Sequence, residues 1–194
     1  MKALKQRGLS LIEVMVAVVI SSILILGVTD LFQSSFMSGR SNSELARIQE
    51  NGRLAMEVIG SDVRLAGLST CTTNNWSASS IQDAVALDST KKTLSLKYID
   101  PQNCDDIGAA EQTITYTFAN NGLSKAVNGN PAQPLLGDDK EPVEGSFTLL
   151  PDDSDPDTAN AVQITIKVKS SQENFSAREF SSTYEFKNRL IVRD

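Results

Sequence analysis

The chain has 194 residues, 40% of them hydrophobic, with a net charge of −6 and a pI near 4.8. That acidic balance, with the basic residues scattered beyond the first few, offers no nucleic-acid surface. There is no histidine and there are only two cysteines. This excludes Ser–His–Asp and Cys–His nucleophile arrangements, and a tetrahedral nitrogen–sulfur metal site within one chain.

The first eight residues, Met1–Gly8 (MKALKQRG), are basic through Lys2, Lys5 and Arg7. Leu9–Val28 (LSLIEVMVAVVISSILILGV) is then an almost unbroken apolar run of 20 residues. As a helix it is about 30 Å long, the thickness of a bilayer core. Glu13 interrupts it. A carboxylate there costs roughly 2.5–3.5 kcal/mol on insertion scales and marks a functional position. A cleaved secretory signal would carry its small-residue site after the apolar run, where Thr29, Asp30 and Leu31 stand instead. A plain single-span anchor accounts for the positive end and the length, but not for Glu13.

The helical pattern continues beyond the apolar run. Leu31, Phe32 and Phe36 are followed by Leu45, Ile48, Leu54, Ala55, Val58, Ile59 and Val63, and from Leu45 the spacing fits one face of an amphipathic helix. Arg47, Glu50, Arg53, Glu57, Ser61 and Arg64 take the opposite face. No proline precedes Pro101. Gly27, Gly39, Gly52 and Gly60 weaken the helix, and the polar patch Ser38–Ser43 is the section expected to fray or bend. Gly67 is placed to cap a helix ending near Leu65, a rod of about 80 Å.

Cys71 and Cys104 both lie past the membrane segment, on the side where disulfides persist. Their pairing would close a loop of about 34 residues and contribute on the order of 3–4 kcal/mol; two buried thiols are the alternative. Trp76 stands near Cys71, and Ser80 opens a weak capping-box pattern that predicts a short helix over Ser80–Leu87. The period then changes. Strands are expected at Thr93–Ile99, Thr113–Phe118, Leu123–Val127 (after the Asn120–Asn121–Gly122 turn), Gly145–Leu150, Ala161–Lys169 and Tyr184–Val192, with Phe175–Phe180 able to pair. The result is an α+β architecture, a long N-terminal helix laid across one mostly antiparallel sheet. Asp153, Asp155 and Asp157 alternate as in a calcium loop, but Pro156 intrudes and the turning glycine is missing, so a solvated turn is the stronger reading. Asp138, Asp139 and Glu141 form a second acidic loop. No P-loop, Rossmann fingerprint or paired carboxylates at a recognisable spacing occur, so neither enzyme activity nor a cofactor is expected.

The break between Gly8 and Leu9, with Glu13 as the fifth residue after it, resembles the class III signal of type IV prepilins. A second likeness covers Glu44–Cys71 (ELARIQENGRLAMEVIGSDVRLAGLSTC). It is similar to the stretch that follows the membrane helix in the PilW family of minor pilins, an LQENGRFAL-like run leading into a DLRMAGY-like run and a cysteine. Leu68 departs from it, standing where an aromatic residue is common. The resemblance covers about a third of the chain and implies a pilin fold. The chain then divides into a leader (1–8), a transmembrane or filament-core helix (9–29), its amphipathic continuation (30–67) and a periplasmic β-rich domain (68–194). It implies cleavage at Gly8, methylation of the new Leu9 amine and an assembly role for Glu13. The implied partners are prepilin peptidase, other minor pilins and the major pilin, the inner-membrane assembly platform and membrane lipid, with no small-molecule substrate. The expected product is a minor pilin that primes a type IV pilus from the inner membrane and enters the surface filament. A type II secretion pseudopilin shares leader and fold. A single-span anchored periplasmic enzyme or receptor is the remaining class.

Overall fold

The computed structural model describes residues 10–68, 84–100, 102, 110–139, 141–151, 159–170 and 176–187. It divides into two units, Met1–Ala46 and Arg47–Asp194. Helix α1 (Leu11–Leu65) supplies all the described secondary structure of the first and the opening segment of the second. Through the first unit the side chains from Leu11 to Met37 stand exposed, as expected of a helix made for an apolar surround rather than for a core of its own. The Ser38–Ser43 patch stays helical. Its serines cost only tenths of a kcal/mol each in propensity, too little to open a helix with no proline in it.

In the second unit the helix becomes amphipathic as predicted. Ile48, Ala55, Met56, Ile59 and Val63 are buried, while Arg47, Glu50, Arg53, Glu57, Ser61 and Arg64 are exposed. Leu54 departs from the expected face and is 56% exposed. The helix ends where the sequence placed its cap. Gly67 takes a left-handed φ of 75°, and the Leu68 amide donates to the Leu65 carbonyl at 2.9 Å. The chain then bonds directly onto a strand, Gly67 N–H to Lys97 O at 2.9 Å and Ile99 N–H to Leu68 O at 2.8 Å.

Two antiparallel sheets follow rather than the single sheet expected. The first is a five-stranded meander of β1 (Val85–Leu87), β2 (Thr93–Ile99), β3 (Glu111–Ala119), β4 (Gly122–Val127) and β5 (Gln133–Leu136) in chain order. The second holds β6 (Val143–Leu150), β7 (Ala161–Val168) and β8 (Arg178–Glu185). Asn120 and Asn121 both have positive φ, the backbone a tight hairpin needs, and join β3 to β4. The sheets meet at Phe118 and Phe147, whose ring centroids lie 5.0 Å apart. Gly145 makes room there, since a Cβ at that position would overlap the Phe118 ring.

Three expectations are corrected. Val85–Leu87 is a strand, not the end of a helix: Val85 is buried and pairs with Leu96, and that tertiary pairing outweighs a weak capping signal. The last described strand is Arg178–Glu185 instead of Tyr184–Val192, and residues from 188 on lie outside the described set. The alternation that sets it is Phe180, Ser182 and Tyr184, each half-buried beneath exposed neighbours. Strand β5 was not expected because Pro134 breaks its pattern; as the end strand of the five-stranded order it tolerates the missing N–H.

Gly52 and Gly60, expected only to weaken the helix, are sockets. A Cβ on Gly52 would come within 2.6 Å of the Phe180 ring, and one on Gly60 would overlap Tyr184. Eight residues of helix and four of strand both advance about 12–14 Å, so two aromatic rings of β8 meet two glycine notches in step. Gly60→Ala is therefore expected to lower stability by about 1 kcal/mol, overpacking of roughly 1–3 kcal/mol outweighing a helix-propensity gain near 1 kcal/mol. Denaturant titration of the full chain in detergent reads it, and a stabilised variant would show that the ring moves aside freely.

Candidate functional site

Two sets of residues carry chemistry, one in each unit. In the first unit Ser10 starts the helix, its carbonyl accepting the Glu13 and Val14 amides at 3.0 and 3.2 Å. Glu13 thus lies in the first turn, where the helix dipole favours negative charge. Glu13, Ala17 and Ser21 follow one another at four-residue spacing and line one shallow hollow with Val18 and Ile25. Two hydroxyls on the apolar part of this helix are satisfied within it. Ser22 Oγ donates to Val18 O and Thr29 Oγ1 to Ile25 O, both at 2.8 Å. Neither hydroxyl is presented bare to an apolar environment, as a bilayer or a helix bundle demands. Glu13 is the one ionisable side chain between Ser10 and Thr29.

The remaining sequence-predicted positions, Gly8, Leu9, Cys71, Cys104, Asp153, Asp155 and Asp157, lie outside the described residues, as does Trp76. Among the described residues no three acidic or cysteine side chains gather to hold a metal ion. In the second acidic loop, Asp138 Oδ1 accepts the Glu141 amide at 2.8 Å, and the Glu141 carboxylate pairs with Arg47 on the helix.

The second set is Asp62, Tyr116 and Lys125. Asp62 is buried on the apolar stripe of α1, one residue before Val63 and three after Ile59. Tyr116 on β3 donates its hydroxyl to Asp62 Oδ2 at 2.5 Å, and Lys125 Nζ on β4 donates to the same oxygen at 2.6 Å. The ammonium also stands 5.6 Å from the Tyr116 ring centroid. Sequence reasoning noted Asp62 only as part of a motif. The available signal was an acid at a position whose helical neighbours are all apolar, since such a group is buried only with partners. The trio pins α1 to adjacent strands β3 and β4 within the second unit.

Burial first, then the hydrogen bond to Asp62 and its charge, pushes the Tyr116 hydroxyl well above the ordinary tyrosine range. An unfolded tyrosine loses its proton near pH 10, so above that pH the unfolded state is the one favoured. Stability is expected to fall with pH from about 10 upward by as much as roughly 1.4 kcal/mol per unit from this group, and to be intact below. Tyr98 is shifted the same way, by burial and then by Asp62 and Asp100. The difference between wild type and Tyr116→Phe in alkaline unfolding isolates Tyr116, and equal slopes would remove it as a cause.

Comparison with known families bears on the N-terminal set. Residues 4–29 match the model of the prokaryotic N-terminal methylation motif. The N-terminus is that of a type IV pilin-like or pseudopilin precursor. The pilin-type motif marks a substrate of prepilin peptidase that assembles with other pilins, and with the apolar helix it fits a membrane-anchored precursor. The long helix followed by antiparallel sheets is a pilin-like α+β architecture. No curated protein and no solved structure matches the chain.

Proposed function

We propose that this chain is a minor pilin of the PilW type, without enzymatic activity, that helps initiate a type IV pilus and is incorporated into it. The observation that carries the reading is the presence in one chain of the methylation motif at residues 4–29 and the PilW-like stretch Glu44–Cys71. Cleavage after Gly8 removes Lys2, Lys5 and Arg7 and exposes an amine at Leu9, four residues before Glu13. Within one subunit, amine and carboxylate neutralise each other across a turn. Between staggered subunits they pair in an apolar bundle, where an unpaired carboxylate is expensive and register is therefore enforced. The β-rich domain is the periplasmic, then surface-exposed, cargo of that helix, working with other minor pilins, the major pilin and the inner-membrane assembly platform.

The test is a clean deletion of the gene, with surface pili and secreted proteins quantified in the same strain. Loss of pili, restored by the wild-type gene, supports the proposal. Intact pili with a secretion defect would make the chain a type II secretion pseudopilin, which the methylation motif fits equally well. Both intact, together with a mature mass that retains Met1–Gly8, would point to an anchored periplasmic domain.

A further inference from the structure

The apolar character of α1 outlasts the span that a bilayer requires. From Leu11 to Phe36 the helix runs about 39 Å, against a hydrocarbon core of about 30 Å. Phe32 and Phe36, 73% and 59% exposed, stand at the far end of that run. With Ser35, Gly39, Arg40 and Ser43 they line a shallow, largely apolar hollow on the helix surface. Nothing lies within 4 Å of where a Cβ on Gly39 would stand, so the hollow is open beside the rings.

The other side of the same turns carries a polar strip. At about 100° per residue, Asp30, Ser34, Ser38 and Ser41 fall opposite the two rings, with Ser34 the most directly opposed. Leu31 and Met37 flank the strip, about 60° to either side of it. A helix too long for the hydrocarbon core tilts, and a tilted helix keeps one face near the membrane surface after it has left the core. A face seated there needs apolar side chains for the acyl boundary and a cation for the phosphates beyond it. Phe32, Phe36 and Arg40 supply these in that order, at four-residue steps away from the span. The arginine stem leans back toward the helix N-terminus, which brings its guanidinium toward the headgroups.

We propose that the Phe32–Phe36–Arg40 face is a seat for lipid, in the headgroup layer on the side of the bilayer away from the basic leader. The rings enter the boundary between acyl chains and headgroups, the Arg40 guanidinium meets lipid phosphate, and the strip around Ser34 faces water. Continuity identifies the occupant, since the face begins where the membrane run ends, on the same helix and within the same unit. The seat fixes the direction in which the helix leans as it leaves the bilayer. The proposal rests on the membrane-anchored reading of α1 and not on the pilus role.

Depth-dependent tryptophan quenching tests this in the full-length chain, reconstituted in vesicles of phosphatidylcholine with a minor fraction of phosphatidylglycerol. The lipid carries bromines either near the headgroup or near the chain ends. Trp76→Phe removes the one native tryptophan, and single tryptophans are then placed by Leu24→Trp, Ser34→Trp and Phe36→Trp, all at exposed positions of α1. The expected result is that deep bromines quench Leu24→Trp most and shallow ones quench Phe36→Trp most. With shallow bromines, Phe36→Trp should be quenched at least about twofold more than Ser34→Trp, although Ser34 is nearer the span. Height alone gives the reverse order, so the comparison reads the face. Adding Arg40→Glu should lower the Phe36→Trp quenching by about half, because a repelled carboxylate replaces the phosphate contact. Quenching of Ser34→Trp equal to or stronger than that of Phe36→Trp overturns the seat. An unquenched Phe36→Trp beside a quenched Leu24→Trp also overturns it and leaves the anchor standing. Quenching at neither position overturns the anchor as well, while piliation of the deletion strain bears separately on the pilus role.

Discussion

Asp62→Ala is expected to destabilise the Arg47–Asp194 unit by about 3 kcal/mol or more, the range seen when one partner of a buried ion pair is removed. Asp62 Oδ2 is the shared acceptor of the Tyr116 hydroxyl and the Lys125 ammonium, so one truncation strips both donors at once. The Lys125 side chain keeps 27% of its exposure against 11% for Asp62, so water relieves part of the stranded ammonium and the lower end of the range applies. The Tyr116 ring is fully buried, and its bare hydroxyl adds roughly 1–3 kcal/mol if no water reaches it. For a domain of this size that corresponds to a fall in Tm of about 6–12 °C. Asp62→Asn keeps an acceptor and is expected to lose less. Asp62→Leu combined with Lys125→Met should recover the part of the loss that comes from the stranded ammonium, leaving the cost of the bare Tyr116 hydroxyl, which Tyr116→Phe would remove in turn. Thermal unfolding in detergent of full-length wild type, Asp62→Leu, Lys125→Met and their double variant, as a double-mutant cycle, reads the coupling. A single Asp62→Ala variant within 1 kcal/mol of wild type would show that α1 is held to the strands by apolar burial alone.

The parts of this molecule that could be read from the sequence are those fixed by local rules. The apolar run, the amphipathic stripe through Ile59 and Val63, the Gly67 cap and the Asn120–Asn121 turn each depend on a few neighbouring residues, and each is where it was expected. Strand β2 spans Thr93–Ile99 as predicted, because Leu94, Leu96 and Tyr98 alternate with polar residues and β3 pairs along its whole length. What escaped depends on contacts distant in sequence. Val85–Leu87 is a strand only because Leu94–Leu96 lies beside it. The notches at Gly52 and Gly60 take their meaning from Phe180 and Tyr184, more than a hundred residues away. The division into two sheets turns on the Phe118–Phe147 junction, which no periodicity reports. Leu54 shows the same limit from the other side. Its spacing puts it with the core residues, yet the angular edge of an amphipathic stripe is set by what lies opposite, and opposite Leu54 there is a groove. For the assembly segment the balance is reversed: the leader junction and the position of Glu13 are sequence features, and the fold adds only the first-turn location and the small-residue hollow beside it.

Glu13→Ala is expected to leave membrane insertion and leader removal intact while lowering entry into filaments by about a hundredfold. Insertion should improve, because deleting the carboxylate removes a cost of roughly 2.5–3.5 kcal/mol from the apolar span. The proposed cleavage site at Gly8 and the leader before it are unchanged in this variant. Assembly is different. If the Leu9 amine of one subunit is neutralised by Glu13 of its neighbour, the alanine variant leaves the adjoining subunit's amine as an uncompensated cation in an apolar bundle. A loss of about 3 kcal/mol there corresponds to roughly a hundredfold in occupancy. Glu13→Asp keeps the charge but shortens the reach and should fall between wild type and alanine. Glu13→Gln keeps the size and loses the charge, and should resemble alanine. The measurement is the amount of each variant in sheared pili relative to its processed form in the membrane, with the mature mass confirming removal of Met1–Gly8. Wild-type incorporation of Glu13→Gln would show that the side chain acts through size or hydrogen bonding and not through charge. A block in cleavage would instead assign Glu13 to recognition by the peptidase. The exposed carboxylate in the first turn of α1, beside Ala17 and Ser21, leaves room for a partner's amine to approach it closely. That access makes charge pairing between subunits the stronger expectation.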